Sequence, residues 1–257
     1  MIIKRHEKLV YYQFPQISDS DIVHGIFTRL GGASNPPWDS LNLGGTVGDD
    51  PTAVRKNMAR LVSAMGFSTS QLAQVKQIHS ARVLRVDHPV DAHDEADAMI
   101  TDKSGLLMLM RFADCVPILF HDPVNKAVGI AHAGWQGTIK GVVKQVVLEM
   151  GRAFGSDPGQ IFAGIGPAIG PDHYQIGPDV LDLVEGVYQE QARDILIKNG
   201  DDVKLDLWKA NKMNLEEVGV KKVSVSGICT GCNLDHWYSH RVENGKTGRF
   251  AAVIGLV

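Results

Sequence analysis

A chain of 257 residues is long enough for one large domain or two small ones. With 44% apolar and 21% charged residues it has the composition of an ordinary soluble globular protein, and a formal net charge of −3 gives no global field that favours nucleic acid or an anionic membrane. No run approaches the roughly 18 apolar residues of a membrane span. The first eight residues carry charges with no apolar segment behind them, so no signal peptide is expected. The cysteines are Cys115, Cys229 and Cys232, an odd and low count that argues against a disulfide framework and for a reducing compartment, by default the cytoplasm.

In chain order, the first 50 residues read as turn-rich. Gly31-Gly32-Ala33-Ser34-Asn35-Pro36-Pro37-Trp38 is broken by glycine and proline pairs and cannot be regular structure. Asp49-Asp50-Pro51 predicts a capped helix with Pro51 in its first turn, running to about Met65. Then come three short apolar runs: 105–112, 116–121 and 127–131. With little alternation they suit strands buried on both faces, and Asp122-Pro123-Val124-Asn125-Lys126 predicts a hairpin turn between the last two. Ile139, Val142, Val143, Val146, Val147 and Met150 fall at helical spacing and mark a core-facing stripe. Further helices are expected near 178–198 and 208–218, with strands near 160–165, 222–228 and 249–256. No linker composition, internal repeat or low-complexity tract divides the chain, so one domain spanning 1–257 is expected. Strands and helices intermix, and the hairpin excludes a purely parallel doubly wound sheet. The expected architecture is mixed sheets flanked by helices.

Three residues with chemical potential lie where apolar segments hand over to loops: His79, Cys115 and His132. Cys115 alone reads as a small core hydrophobe, but Asp114 beside it is a carboxylate at the edge of an apolar run, which needs a partner or a site. His132 precedes Gly134-Trp135-Gln136-Gly137, a tight strand-to-helix turn whose helix N-terminus would attract an anion such as phosphate. Two imidazoles and a thiolate form either a zinc site with an open position or a cysteine nucleophile with its bases. The residues alone leave both open. Cys229 and Cys232 have C-x-x-C spacing, but a zinc knuckle needs a second ligand pair, and only His236 and His240 follow. The glycines of 164–170 do not form a dinucleotide loop, because Pro167 and Pro171 break the helix that such a loop must open. Arg29, Arg111, Arg241 and Arg249 are basic residues able to bind phosphate, although a solvated or paired arginine is the commoner fate.

Taken in order, SLNLGGTVGDDP, QIHSARV, DAMITDKSGLLMLMRFADCVPILFHDP, GIAHAGWQGTIKGVV, GIGPAIGPDHYQIG and CTGCNLDHWYSHRVENGKTGRFAAVIGL resemble the YfiH family from about Gly25 to the C-terminus. That family goes also by the names laccase-domain or polyphenol oxidase protein, peptidoglycan editing factor and purine nucleoside phosphorylase. The resemblance implies a single α+β domain similar to the deamidase domain of cytotoxic necrotising toxins. It implies a metal at His79, Cys115 and His132, which would also be the catalytic residues. The implied activity is phosphorolysis of adenosine, inosine and methylthioadenosine, together with deamination of adenosine to inosine. Purine nucleosides and phosphate are then the partners; nucleic acid and membrane stay excluded by charge and hydropathy, and the oligomeric state is left open, a monomer being compatible with the sequence.

Zinc is the expected metal. Copper is the poorer choice, since a multicopper oxidase needs further histidine-rich sites and the chain has no H-x-H pair. A cysteine hydrolase with Cys115 as nucleophile and His132 as base, acting in peptidoglycan metabolism, is the other enzymatic reading. Arg29, Asn42 and Arg241 are the candidate phosphate or ribose contacts, and Asp114 is a candidate for orienting a ligand histidine, unless strand alternation turns it to the opposite face. The chain departs from the family pattern at Lys76, where asparagine is usual, at Gln136, where arginine is usual, and at His173, where cysteine is common. Gln136 weakens the expected anion site and shifts the expected balance toward deamination.

Overall fold

The structure, a computed structural model, describes residues 1–17, 20–200 and 202–257. Its strands are β1 (Ile2–His6), β2 (Leu9–Gln13), β3 (Ile22–Phe27), β4 (Leu72–Gln74), β5 (Val83–Arg85), β6 (Ala98–Thr101), β7 (Leu106–Phe112), β8 (Val116–Asp122), β9 (Ala127–Ala133), β10 (Phe162–Ile165), β11 (Leu196–Asn199), β12 (Asp202–Leu205), β13 (Lys222–Val225) and β14 (Phe250–Leu256). The α-helices are α1 (Pro51–Ala64), α2 (Trp135–Ile139), α3 (Val142–Phe154), α4 (Pro178–Tyr188), α5 (Ala192–Ile195) and α6 (Leu207–Glu217).

Two six-stranded sheets carry the fold, ordered β1-β2-β3-β14-β7-β4 and β13-β10-β8-β9-β6-β5, with β11 and β12 as a separate pair. Most neighbours are antiparallel, while β4–β7, β5–β6 and β10–β13 are parallel, so the sheets are mixed as expected. Strand alternation explains the layering. In β7, Leu106, Met108, Met110 and Phe112 face the second sheet and pack with Leu119, Val128 and Ile130. Leu107 and Leu109 face the other way, onto Leu61 and Val62 of α1. On the far side of the second sheet, Ile118, Phe120 and Ala131 meet Val143, Val146 and Met150 of α3. Sheets buried on both faces show continuous apolar runs, which is why 105–131 lacks alternation.

Local chemistry sets the element ends. Asp50 accepts a hydrogen bond from the Thr52 N–H at 2.8 Å and Pro51 opens α1. Asp122 closes the β8–β9 hairpin by accepting from the Val124 and Asn125 amides. The apolar stripe is interrupted after Ile139, because Gly141 at φ +74° ends one short helix and starts α3 afresh. The region expected as one helix over 178–198 stops at Tyr188 and ends in β11. The turn-rich reading of the first 50 residues missed β1 to β3. β1 is exposed along its whole length, so no burial pattern marks it.

His24 in β3 is 2% exposed, and its Nε2 accepts the Phe14 N–H at 2.9 Å. Burial, aided by the nearby His121, holds its pKa down to about 4. The unfolded chain therefore takes up this proton near pH 6.5, whereas the folded chain does not until about pH 4. Stability is full above that window and falls as pH drops through it, by up to about 3 kcal/mol. Urea unfolding measured from about pH 7.5 down to about pH 4.5 should show this slope, and His24→Gln should flatten it. An unchanged slope in the variant would assign the acid sensitivity elsewhere.

Candidate metal centre

His79, Cys115 and His132 come together at one end of the second sheet. β8 and β9 pair with Val116 opposite Ala133 and Pro117 opposite His132, so Cys115, just before β8, lies beside the end of β9. His79 enters from the loop after β4. The three offer ligand atoms all within 4.8 Å of one another, with Cys115 Sγ 3.9 Å from His79 Nε2 and the two imidazoles edge to face at 4.9 Å between centroids. Two of the backbone positions are left-handed, His79 at φ 59° and Asp114 at φ 82°, strain of the kind that clusters at functional sites.

Asp97 organises this convergence. It is fully buried, and its carboxylate accepts from the backbone N–H groups of Ile78, His79 and Ser80 and from the Ser80 hydroxyl. It also sits 2.9 Å from His132 Nδ1, which leaves His132 Nε2 for the site. Burial opposes its charge, yet His132 and Ser80 outweigh burial and hold the carboxyl down to about 2. From the sequence, Asp114 is the candidate for this orienting role unless it turns to the opposite face. Asp114 borders the smaller hollow but bonds neither ligand histidine, its carboxylate accepting from the Thr230 hydroxyl at 2.7 Å and the Arg241 N–H at 2.6 Å. Asp114 lies in the bend before β8, where its left-handed φ of 82° rather than strand alternation sets its direction, and Asp97 takes the orienting role. A carboxylate at the mouth of the apolar strand β6 was the available signal.

The donor set fits a metal. Burial works against ionising Cys115, but the His132 and His79 imidazoles outweigh it and bring the thiol down to about 6. In return the Cys115 charge and the Asp97 carboxylate outweigh burial and raise His132 to about 9. A thiolate and two imidazoles in this arrangement suit zinc, which takes three protein ligands in open sites. Gly134 supplies the room, since a Cβ there would lie 2.9 Å from Cys115 Sγ and 3.0 Å from His79 Cδ2.

Two hollows flank the trio. The larger, about 660 Å³, is bounded by His79, Cys115 and His132 together with Arg111, His240 and Arg249. Arg111 Nε donates to the Leu43 carbonyl at 2.6 Å, and its Nη2 donates to Gln74. Arg249 donates to the carbonyls of Thr247 and Gly248. Among the described residues neither arginine forms an ion pair. Burial lowers Arg111 to about 10, which still leaves it charged at neutral pH. The smaller hollow, about 180 Å³, lies against Cys115 and Gly134 and is walled by Trp135, Ile169 and Tyr174, with Gln136 at its edge. Helix α2 is only five residues long, so it presents little dipole to an anion, and the fixed positive charge comes from the two arginines.

The candidate substrate contacts fall elsewhere. Arg29 is paired with Asp39 and Glu243 and lies over the Tyr238 ring, in a separate surface hollow. Asn42 is fully buried; its side chain bonds Gly44, Asp49 and the Arg249 N–H, so it positions the arginine rather than facing the cavity. Arg241 reaches the Gln175 carbonyl and stacks on Tyr174. Arg111 and Arg249 were named in the sequence as phosphate-capable, but nothing there separated them from Arg29 and Arg241.

A metal-capable Cys-His centre at the mouth of a mixed two-sheet α+β fold defines the class. Residues 23–257 match the family model described as multi-copper polyphenol oxidoreductase laccase. The chain belongs to this laccase-like family, whose members include the YfiH and YlmD proteins. It is 37% identical over 241 residues, covering 91% of this chain and 89% of its relative, to a purine nucleoside phosphorylase of Deinococcus radiodurans. It is 34% identical over 250 residues to purine nucleoside phosphorylase YfiH of Escherichia coli, covering 97% and 99% of the two chains. The crystal structure of YlmD from Geobacillus stearothermophilus superposes with a TM-score of 0.91 at 32% identity, covering 99% of this chain and 98% of that one.

Proposed function

We propose that the protein is a zinc-dependent purine nucleoside enzyme. It would phosphorolyse adenosine, inosine and methylthioadenosine to the free base and the corresponding ribose 1-phosphate, and deaminate adenosine to inosine. The observation that carries this reading is the pair of half-buried arginines, neither in an ion pair among the described residues, that line the cavity holding the Cys-His trio. Two half-buried guanidinium groups that no ion pair neutralises attract an anion into the cavity, and phosphate supplies one. The Deinococcus radiodurans and Escherichia coli relatives, both purine nucleoside phosphorylases by name, support the phosphorolysis.

Bound to His79, Cys115 and His132, a zinc ion supplies Lewis acidity of the kind that lowers the pKa of water toward roughly 7. The chain's own residues do the rest. Arg111 and Arg249 hold and orient phosphate, with His240 beside them. Asp97 keeps His132 in one tautomer and fixes the His79 loop. Trp135 and Tyr174 give flat walls against which a purine can lie. Gln136 edges that base-sized hollow rather than the arginine cavity, so the phosphate contacts survive the departure from the family arginine. All of these groups come from one chain, and a cytoplasmic monomer suffices. No helix among the described residues is long and apolar enough to cross a membrane.

The test is incubation of zinc-loaded protein with adenosine across a phosphate titration. Adenine and ribose 1-phosphate should rise with phosphate, while inosine forms without it. Neither product from folded, zinc-loaded protein would sink the reading. Arg111→Gln and Arg249→Gln should each raise the KM for phosphate about 10- to 100-fold, the worth of a charge-assisted hydrogen bond, and leave zinc content unchanged.

One observation favours a second reading, a cysteine hydrolase or amidase: the Cys115 thiol is held down to about 6 beside His79 and His132. Zinc removal separates the two, since it should abolish the nucleoside reactions but free Cys115 for labelling by an electrophile. Copper finds less support. The described residues offer two groups of metal-ligating side chains, neither with more than two histidines, short of what oxygen reduction at several coppers requires.

A further inference from the structure

The geometry points to a second metal site in this chain, formed by Asp172, His173, Cys229 and Cys232, that takes zinc with four protein ligands and acts as a structural staple behind the catalytic centre. In the chain, the histidines that follow Cys229 and Cys232 are His236 and His240. Those histidines are elsewhere: His236 Nδ1 lies 3.1 Å from the Tyr12 hydroxyl, and His240 borders the arginine cavity. The partners come from upstream, in the turn beyond β10. The ligand atoms of all four residues lie within 4.8 Å of one another.

The spacing suits a tetrahedral ion. With Zn–S of about 2.3 Å and Zn–N of about 2.0 Å, sulfur and nitrogen ligands sit about 3.5 Å apart. His173 Nδ1 lies 3.7 Å from Cys229 Sγ and 3.6 Å from Cys232 Sγ. Asp172 Oδ2 lies 3.0 Å from His173 Nδ1 and 2.8 Å from Cys232 Sγ; a tetrahedral S···O separation is also about 3.5 Å, so the carboxylate need move only by about 0.7 Å. Two thiolates, an imidazole and a carboxylate select zinc over magnesium or calcium.

The surroundings are built for this cluster. Ala168 N–H donates to the Ile228 carbonyl and Thr230 N–H to the Ala168 carbonyl, which locks the two segments side by side. Gly170 N–H donates to Cys229 Sγ at 3.2 Å, the kind of outer contact that steadies a ligand thiolate. A Cβ on Gly170 would meet Asp172 Oδ1 at 2.5 Å and Cys229 Cβ at 3.1 Å, and one on Gly231 would meet the His173 ring at 3.2 Å. Both turns thus need glycine to bring the ligands this close. An ion here fixes the turn leading to Tyr174, which walls the hollow beside Cys115, and holds Thr230, whose hydroxyl donates to Asp114.

Elemental analysis of protein purified without chelator tests the site independently of the nucleoside reading. About two zinc ions per chain are expected in the wild type, about one in Cys115→Ala, about one in Cys232→Ser, and none in the double variant. In the Cys115→Ala background, cobalt(II) should give the intense visible bands of a tetrahedral thiolate site, and chelator should lower the Tm. Adding His173→Ala, the second probe of the same ligand set, should remove both effects. Metal confined to the first site, with zinc lost in Cys115→Ala and unchanged in Cys232→Ser, overturns the proposal. So does a Cys229–Cys232 disulfide in freshly purified protein.

Discussion

Asp97→Asn should lower metal affinity at the Cys-His centre by about 10- to 100-fold, the usual cost of losing an outer-shell carboxylate, and should destabilise the fold by about 3 kcal/mol. The wild-type carboxylate is purely an acceptor, and five donors converge on it: the amides of Ile78, His79 and Ser80, the Ser80 hydroxyl and the His132 ring. An amide of the same shape replaces one acceptor oxygen with an NH2 that points at donors. At a fully buried position no water makes good the loss. The two consequences can be separated. Metal titration reads the loosening of His132 and of the His79 loop, while chemical denaturation of the metal-free protein reads the lost hydrogen bonds. A variant that binds zinc as tightly as the wild type would show that the ligands hold their own orientation, and that Asp97 serves only the loop.

How much of this was legible beforehand depends on whether a residue's task leaves a local mark. The helix at Pro51, the hairpin closed by Asp122 and the strands of 106–133 follow from caps, turn residues and apolar runs, all of which act within a few positions. His79, Cys115 and His132 were legible as chemically capable residues at strand ends. Asp97 was not, because a carboxylate before a strand is an unremarkable sign until β6 is known to pair with β9 and carry it to His132. The same holds for the arginines. Arg29 and Arg111 look alike in the chain, and only the fold gives Arg29 two carboxylates and Arg111, among the described residues, none. β11 escaped because 178–198 keeps a helical apolar spacing up to Tyr188, after which Gln189 at φ 49° turns the chain. His173 had no meaning in one dimension, since its neighbours Cys229 and Cys232 arrive from the far side of α4 and α6 in the chain order.

Gly134→Ala should cost at least a 100-fold loss in nucleoside turnover, equivalent to roughly 3 kcal/mol of transition-state stabilisation, with zinc at the first site falling to a minor fraction. The backbone at Gly134 is extended (φ −71°, ψ 176°), a conformation open to any residue, so the effect is not one of strain in the chain itself. It is steric and local. The new Cβ would point between Cys115 Sγ at 2.9 Å and His79 Cδ2 at 3.0 Å, with His79 Nε2 at 3.6 Å. One of the two ligands must retreat, and His79 is the one able to move: it is exposed and sits on a loop, whereas Cys115 is held at the head of β8. The loop is itself tied by the Asp97 bonds and by Lys140 Nζ on the His79 carbonyl at 2.9 Å, so the ring swings while the backbone stays. Stability should change little, because Gly134 caps a helix of only five residues. The expected pattern is therefore a near-normal unfolding curve, a large drop in turnover and weak zinc binding, with the second metal site still filled. Full zinc content with normal turnover would mean that the cradle around Cys115 and His79 is wider than the geometry indicates, and the metal assignment at His79 would fall with it.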